Sequence, residues 1–439
     1  MSGGLILAAP ASGSGKTTLT LGLLRHLARA GHRVASAKAG PDYIDPSFHA
    51  VACGAPCFNL DPWAMRRVTL AGLVGQLERG AECIICEGVM GLFDGAGVSA
   101  AGSTADLAAL TGWPVVLVVD ARGQGASAAA LVRGFAAHRP DVALAGIIFN
   151  QVSSDRHRTI LADALATALP DLPALGAVPR DEQLALPARH LGLVPAGEHS
   201  ALDAFLDKAA DRVAATIDVP SLLALTRASS LAVTRERVQP LAPLGRRIAV
   251  ARDAAFAFLY PALLEGWMRG GAELSFFSPL ADEAPSADAD AVFLPGGYPE
   301  LHAGHLAGRA AFLAGLRAAA ARQAAIYGEC GGYMVLGEAV IDGGGARHRM
   351  AGLLPVVTSF AAPRRHLGYR ALRLVGSMPL GVAGAAFRGH EFHFASIVSE
   401  GPGEALFEAS DADGRLLGRA GLRVDTVAGS FMHLVDRVA

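Results

Sequence analysis

Between an apolar run, Leu5 to Ala9, and a stretch of helical spacing, Leu19 to Ala30, the chain reads Pro10-Ala11-Ser12-Gly13-Ser14-Gly15-Lys16-Thr17-Thr18. Glycines in such a place let backbone N–H groups turn toward phosphate oxygens, and the start of the following helix adds partial positive charge. A lysine there neutralises phosphate, and the next hydroxyl offers a ligand to Mg²⁺. Gly13, Ser14, Gly15, Lys16, Thr17 and Thr18 are therefore expected to cradle the β- and γ-phosphates of ATP. Mg²⁺ takes hard oxygen ligands. Asp42 and Asp45 follow the apolar run Val34 to Ala39, and Glu87 and Asp94 follow Cys83 to Cys86. Acids at the carboxyl ends of parallel strands sit where open sheets bind ligands. Thr17, Asp45 and Glu87 are the expected metal set.

A second chemistry is written in Tyr327-Gly328-Glu329-Cys330-Gly331-Gly332-Tyr333. A cysteine on a sharp strand-to-helix turn is exposed for attack, lies at a helix start that lowers its pKa, and has the next N–H available to an oxyanion. Gly331 is expected to supply that N–H. Gly297, in Leu294-Pro295-Gly296-Gly297-Tyr298, is expected to supply a second. The base such a thiol needs is His433, in Gly429-Ser430-Phe431-Met432-His433 near the chain end.

Two other patterns invite metal readings and are set aside. Cys53-x₃-Cys57 and Cys83-x₂-Cys86 have zinc-like spacing, but residues three apart on a strand face opposite sides, so Cys83 and Cys86 are poorly placed to chelate one ion. His390-Glu391-Phe392-His393 has its histidines three apart rather than four, in sequence that reads as strand.

These residues need elements to hold them. The first half alternates apolar runs with helical stretches, the further runs being Val115–Val119, 145–149 and 174–178, as a parallel sheet covered on both faces requires. Around 221–245 the pattern fades into prolines and glycine. It then resumes with Arg247–Ala251, Glu273–Phe277, Ala291–Leu294 and 325–328, followed by β-rich sequence. Residues 1–225 and 246–439 are read as two α/β domains joined by a linker at 226–245. With 52% hydrophobic residues in 439, each domain can bury a sizeable core, and disorder is excluded. No apolar run approaches the ~18 residues of a membrane-spanning helix. The N-terminus lacks the basic and cleavable features of a secretory leader. Thirty-eight basic against 40 acidic residues, dispersed along the chain, give no field for nucleic acid. Five cysteines, an odd number, suit a reducing cytoplasm.

The ordered set of motifs resembles the cobyrinic acid a,c-diamide synthase family of ATP-dependent, glutamine-hydrolysing amide ligases, which includes the hydrogenobyrinic acid enzymes of cobalamin biosynthesis. Its marks are the segments 38–46, 59–63, 87–95, 102–108, 189–195, 295–300 and 389–394 together with the thiol turn, and they span nearly the whole chain. The resemblance implies an N-terminal P-loop domain like dethiobiotin synthetase and a C-terminal class I glutamine amidotransferase domain. It implies that Asp42, Tyr43 and Ile44 bind a corrinoid polycarboxylic substrate, that Asp45 and Glu87 bind Mg²⁺, and that Asn150 recognises adenine. It implies L-glutamine and ATP as co-substrates and leaves the oligomeric state open. The carboxylate that ordinary class I glutaminases carry two residues after the histidine is here Val435.

An alanine- and arginine-rich composition favours metal-free hydrogenobyrinic acid as substrate over cobyrinic acid or another tetrapyrrole. An ATP-driven switch protein is the other reading, and Ala11, where partitioning ATPases carry a second lysine, speaks against it.

Overall fold

The computed structural model of the chain describes residues 2–184, 188–189, 192–193, 196–199, 201–231 and 239–438. Most of the motif at 189–195 and the middle of the expected linker, 232–238, lie outside the described residues. The chain forms two units, Met1–Trp63 with Leu70–Glu236, and Ala64–Thr69 with Arg237–Ala439.

In the first unit, β1 (Gly3–Ala8), β2 (Val34–Ala39), β3 (Phe58–Leu60), β4 (Cys83–Glu87), β5 (Val115–Asp120), β6 (Leu144–Val152) and β7 (Ala174–Pro179) form one sheet. Their order is β3-β2-β4-β1-β5-β6-β7, and the pairs are parallel. Every residue of β1, β2 and β4 is buried, which is why these strands read as unbroken apolar runs. β3 was not visible in the sequence, because three residues at a sheet edge are too few to show a period. Strands β2 to β4 lie on one side of β1 and β5 to β7 on the other, so the turn leaving β1 opens where the strand order reverses. The helix after that turn, α1 (Lys16–Arg29), begins three residues before the expected Leu19 and buries Leu19, Leu21, Leu23, Leu24 and Leu27. The helix Asp45–Cys53 (α2) follows β2.

The ends of the expected linker are both tied down. In the first unit Arg227 N–H donates to the Gly4 carbonyl at 3.1 Å, and the Arg227 carbonyl accepts from Gly4 N–H at 2.8 Å. In the second, the Pro240 carbonyl accepts from Arg437 N–H at 3.2 Å.

The second unit has a ten-stranded sheet. Its first strands, Glu273–Phe277, Arg247–Ala251, Ala291–Leu294, Ala325–Glu329 and Val427–Ser430, are parallel. Leu416–Val424, Glu404–Ser410, His366–Leu374, Ala386–His393 and Met432–Arg437 continue it antiparallel. Val427–Ser430 and Met432–Arg437 stand fifth and tenth in this order, yet only Phe431 separates them in the chain. The strands between must therefore curl round until the last begins where the fifth ends. Leu294, Phe312, Leu316, Ile326, Tyr333 and Leu336, each fully buried, pack in the core beneath the thiol turn. Among the described residues, no helix is long and apolar enough to cross a membrane.

Candidate active site

The first site is built where β1 turns into α1. Gly15 stands at φ 91°, ψ 15°, a left-handed conformation that glycine adopts without strain. A Cβ on it would lie 2.2 Å from Asn150 Nδ2. That amide donates to the Ser14 carbonyl at 2.9 Å, so Asn150, expected at adenine, braces the phosphate loop from β6 in this structure. Ser14 Oγ donates to the Ala11 carbonyl at 2.8 Å, and Thr18 Oγ1 reaches the Leu184 carbonyl at 3.4 Å. Gly13 is also left-handed, at φ 80°. Lys16 Nζ donates to the Met90 carbonyl at 2.6 Å, and Met90 adopts a positive φ of 47°. Burial lowers the Lys16 ammonium to about 8, against the pull of Glu87.

Behind the lysine lies a buried charge cluster. Glu87 Oε1 accepts from Thr17 Oγ1 at 2.6 Å and from Lys38 Nζ at 2.9 Å. Lys38 Nζ also donates to Asp45 Oδ2 at 2.6 Å, and His49 Nε2 lies 2.7 Å from Glu87 Oε2. Cys57 Sγ is 3.5 Å from the other ring nitrogen of His49. Burial alone would raise the Glu87 carboxyl, but Lys38 and His49 outweigh it and hold it well below the usual carboxylate range. Burial and then the neighbouring Asp42 raise Asp45 to about 7. Burial disfavours charge on His49, yet Cys57 and Glu87 prevail and raise it to about 10. Thr17 Oγ1 and Lys38 Nζ thus meet on Glu87 Oε1, and Lys38 links it to Asp45, so one hydroxyl and two carboxylates, the hard oxygen donors that a divalent cation takes, stand in one cluster.

The residues expected at the substrate lie on the turn between β2 and α2. Asp42 Oδ1 accepts from the N–H groups of Ile44 at 2.7 Å and Asp45 at 3.2 Å, turning the chain into α2. Tyr43 is half-buried and Ile44 buried. Asp94 Oδ2 accepts from Gly91 N–H at 2.8 Å, an ordinary turn contact. Lys38 and His49 were missed by sequence reasoning. A lysine closing an otherwise apolar strand was the available signal for Lys38, which pairs in register with Glu87 across β2 and β4.

The second site is built at the end of the strand Ala325–Glu329. Cys330 joins it to the helix Gly331–Leu336 at φ 46°, ψ −102°, a strained conformation for a residue with a side chain. Two bonds hold it there, from Cys330 N–H to the Ser430 carbonyl at 2.7 Å and from Gly332 N–H to the Pro295 carbonyl at 3.0 Å. A Cβ on Gly331 would lie 3.2 Å from Gly297 N, so the two expected oxyanion donors are neighbours. A Cβ on Gly296 would lie 2.5 Å from His433 Cε1 and 3.3 Å from Cys330 Cβ. Only a bare glycine lets the imidazole and the thiol share that position.

The expectation of a lowered thiol pKa is overturned. Burial, and after it the charge of Glu300, push the Cys330 thiol far up, and the Gly331 N–H beside the sulfur only partly opposes them. The sequence displayed the helix start but neither the burial nor the acids. A base must therefore accept the proton as the sulfur attacks.

His433 is held closely. Its Nδ1 lies 3.7 Å from Glu329 Oε2, with both side chains buried. Glu329 Oε1 accepts from Leu434 N–H at 3.1 Å and from Tyr327 O–H at 3.2 Å. The ring stacks on that of His390, centroids 4.9 Å apart and planes 14° apart, and His390 Nε2 lies 2.9 Å from Tyr260 Oη. His390 and His393 part company, as strand residues three apart should. His393 bonds to Glu391 Oε1 at 2.8 Å and to the Ala395 carbonyl at 3.0 Å. His366, Glu391 and His393 bring their ligand atoms within 4.8 Å of one another, but Arg370 Nη2 already sits 2.7 Å from Glu391 Oε2 as the balancing cation.

A phosphate loop on a parallel sheet and a thiol turn with its histidine define a nucleotide-binding ligase that hydrolyses glutamine. Comparison with known proteins agrees. Residues 5–194 match the CobQ/CobB/MinD/ParA nucleotide binding domain and residues 247–437 the CobB/CobQ-like glutamine amidotransferase domain. The hydrogenobyrinate a,c-diamide synthase of Brucella abortus biovar 1 (strain 9-941) is 55% identical over 434 residues, covering 99% of this chain and 98% of its own. That of Rhizobium meliloti (strain 1021) is 55% identical over 437 residues, 99% of each chain. That of Rhodobacter capsulatus is 51% identical over 435 residues, 98% of each chain. The chain belongs to the hydrogenobyrinate a,c-diamide synthase family.

Proposed function

We propose that the chain converts the a and c acetate carboxylates of hydrogenobyrinic acid to amides, taking nitrogen from L-glutamine and energy from ATP. The observation that carries this reading is that one chain holds both the phosphate loop with its acids and the Cys330–His433 pair. The identity to the Brucella abortus relative, 55% over nearly the full length, supports the corrinoid as substrate and favours the metal-free form.

The residues divide the work. At the first site a substrate carboxylate oxygen attacks the γ-phosphorus of ATP, giving an acyl phosphate and ADP. Ammonia then attacks the acyl carbon, phosphate departs, and an amide remains. Gly13, Gly15 and Lys16 stabilise the charge that develops on the phosphoryl oxygens, and Asn150 keeps the loop in shape or reaches adenine. Thr17, Asp45 and Glu87 would hold Mg²⁺, which supplies charge neutralisation at the β- and γ-phosphates. Asp42, Tyr43 and Ile44 line the approach of the corrinoid acid. At the second site the Cys330 proton passes to His433 as the sulfur attacks the glutamine amide carbon, with Gly297 and Gly331 N–H groups facing the oxyanion. The imidazolium returns the proton to the departing ammonia, and water resolves the thioester to glutamate and free thiol. Residues 1–225 act as the synthetase, 246–439 as the glutaminase, and 226–245 as the linker. Free cysteines agree with a cytoplasmic setting.

Mass spectrometry of hydrogenobyrinic and cobyrinic acids, incubated separately with the protein, ATP, Mg²⁺ and glutamine, tests the proposal. Two amidations of the metal-free acid, faster than of the cobalt acid, are expected. No product from either acid with nucleotide binding intact would overturn it.

A further inference from the structure

The histidine of the second site lacks the acid that such a base ordinarily has, since Val435 occupies its place in the chain. We infer that Glu329, the residue immediately before the nucleophile, positions His433 instead. The inference rests on the thiol reading of Cys330 given above.

Four observations meet at this carboxylate. It is buried, its side chain 3% exposed, in a protein where a buried acid without partners would be costly. One oxygen, Oε1, is fixed by Leu434 N–H and Tyr327 O–H, so the direction of the other is set. That other oxygen, Oε2, is the one 3.7 Å from His433 Nδ1. Cε1, the ring carbon between the two nitrogens, lies 2.5 Å from where a Cβ on Gly296 would stand, and Cys330 Cβ lies 3.3 Å from the same point. At 3.7 Å the two atoms are close but beyond hydrogen-bond distance, and catalytic hydrogen bonds often tighten only in the substrate complex.

The arrangement assigns each proton. With Nδ1–H directed at Glu329, the Nε2 lone pair is left for the thiol proton. When that proton arrives, Glu329 stabilises the imidazolium without taking the proton itself. The bond from Leu434 N–H links the acid to the residue next to His433, so acid and base are located by one strand. His390 stacks on one face of the ring and blocks its rotation away from this line. In the ordinary arrangement histidine and acid share one strand. Here acid and nucleophile are chain neighbours, and the curl of the sheet delivers the base to both.

Glutamate release from glutamine is to be measured in the full chain for wild type, Glu329→Gln, Glu329→Asp, Tyr327→Phe and Cys330→Ala. Glu329→Gln keeps an oxygen for Leu434 N–H and removes the charge, so kcat is expected to fall about 10²- to 10⁴-fold with little change in KM. Glu329→Asp is expected to recover at least about tenfold over Glu329→Gln, and Tyr327→Phe, which loosens Oε1 while keeping the charge, to lose roughly three- to tenfold. Thermal unfolding of each variant reports that the chain has folded. A Glu329→Gln kcat within threefold of wild type overturns the inference, as does a folded Glu329→Asp no better than Glu329→Gln. Glutamate release by Cys330→Ala, or none by wild type, overturns the thiol reading itself and is distinguished by those two proteins alone.

Discussion

The two sites solve opposite electrostatic problems. Around the phosphate loop, Lys16, Lys38 and His49 face Asp45 and Glu87 in a crowded, buried and nearly balanced cluster that exists before any ligand arrives. Around Cys330 it is burial and the acids Glu300, Glu329 and Glu391 that push the thiol up, toward its neutral form. The first site suits a reaction whose difficulty is the placement and screening of charge already present on phosphate. The second suits one in which charge is created only at the moment of attack. A thiol held neutral until His433 can take its proton is protected from idle oxidation as well as from idle hydrolysis.

The sharpest way to break this division is Cys330→Ala. It is expected to cut glutamine-supported amidation by at least about 10³-fold while ammonium salts still support the reaction. Equal loss with both nitrogen sources would mean the sites are not separable. Lys16→Ala should lower both reactions alike, by about 10²- to 10³-fold, because both depend on phosphoryl transfer. A loss confined to glutamine would reverse the assignment. Gly296→Ala sharpens the comparison at one atom. A methyl 2.5 Å from His433 Cε1 displaces the ring, and glutamine hydrolysis should fall about 10²-fold in kcat, with nucleotide affinity as in wild type. Hydrolysis at the wild-type rate would show that the ring moves without cost.

The smallest effect is one of pH. Burial lowers Lys16 from 10.5 to about 8, and bound phosphate restores its charge, so binding takes up a proton above pH 8. Nucleotide affinity, measured by calorimetry, should therefore be level below pH 8 and weaken by at most about tenfold per unit between pH 8 and 10.5. Affinity independent of pH across that range would show that the Met90 carbonyl and Glu87 keep the lysine charged.

What the sequence disclosed follows the same comparison. The phosphate loop is contiguous, and a strand, a turn and a helix in succession carry its meaning. The strand-end acids Asp45 and Glu87 stood out because charge is rare at the end of a buried run. Their partners did not, since Lys38 meets Glu87 only through the parallel register of β2 and β4, and His49 approaches it from α2. The excursion of Ala64–Thr69 into the second unit also left no trace in composition. There Arg66 Nη2 meets Asp436 Oδ1 at 2.8 Å, an ion pair between residues far apart in the chain. At the thiol site Cys330 and His433 were legible as residue types, and Glu329 was not. Its role depends on a sheet that curls back on itself, which no local pattern encodes.

The most direct test of the two-site account supplies hydrogenobyrinic acid, ATP, Mg²⁺ and glutamine labelled with nitrogen-15 at the side-chain amide. The mass of the corrinoid product is then read. The account predicts a diamide carrying the label in both new amides, and its loss in Cys330→Ala, where only added unlabelled ammonium enters the product. A diamide formed by wild type without label, or labelled product from Cys330→Ala, would contradict it.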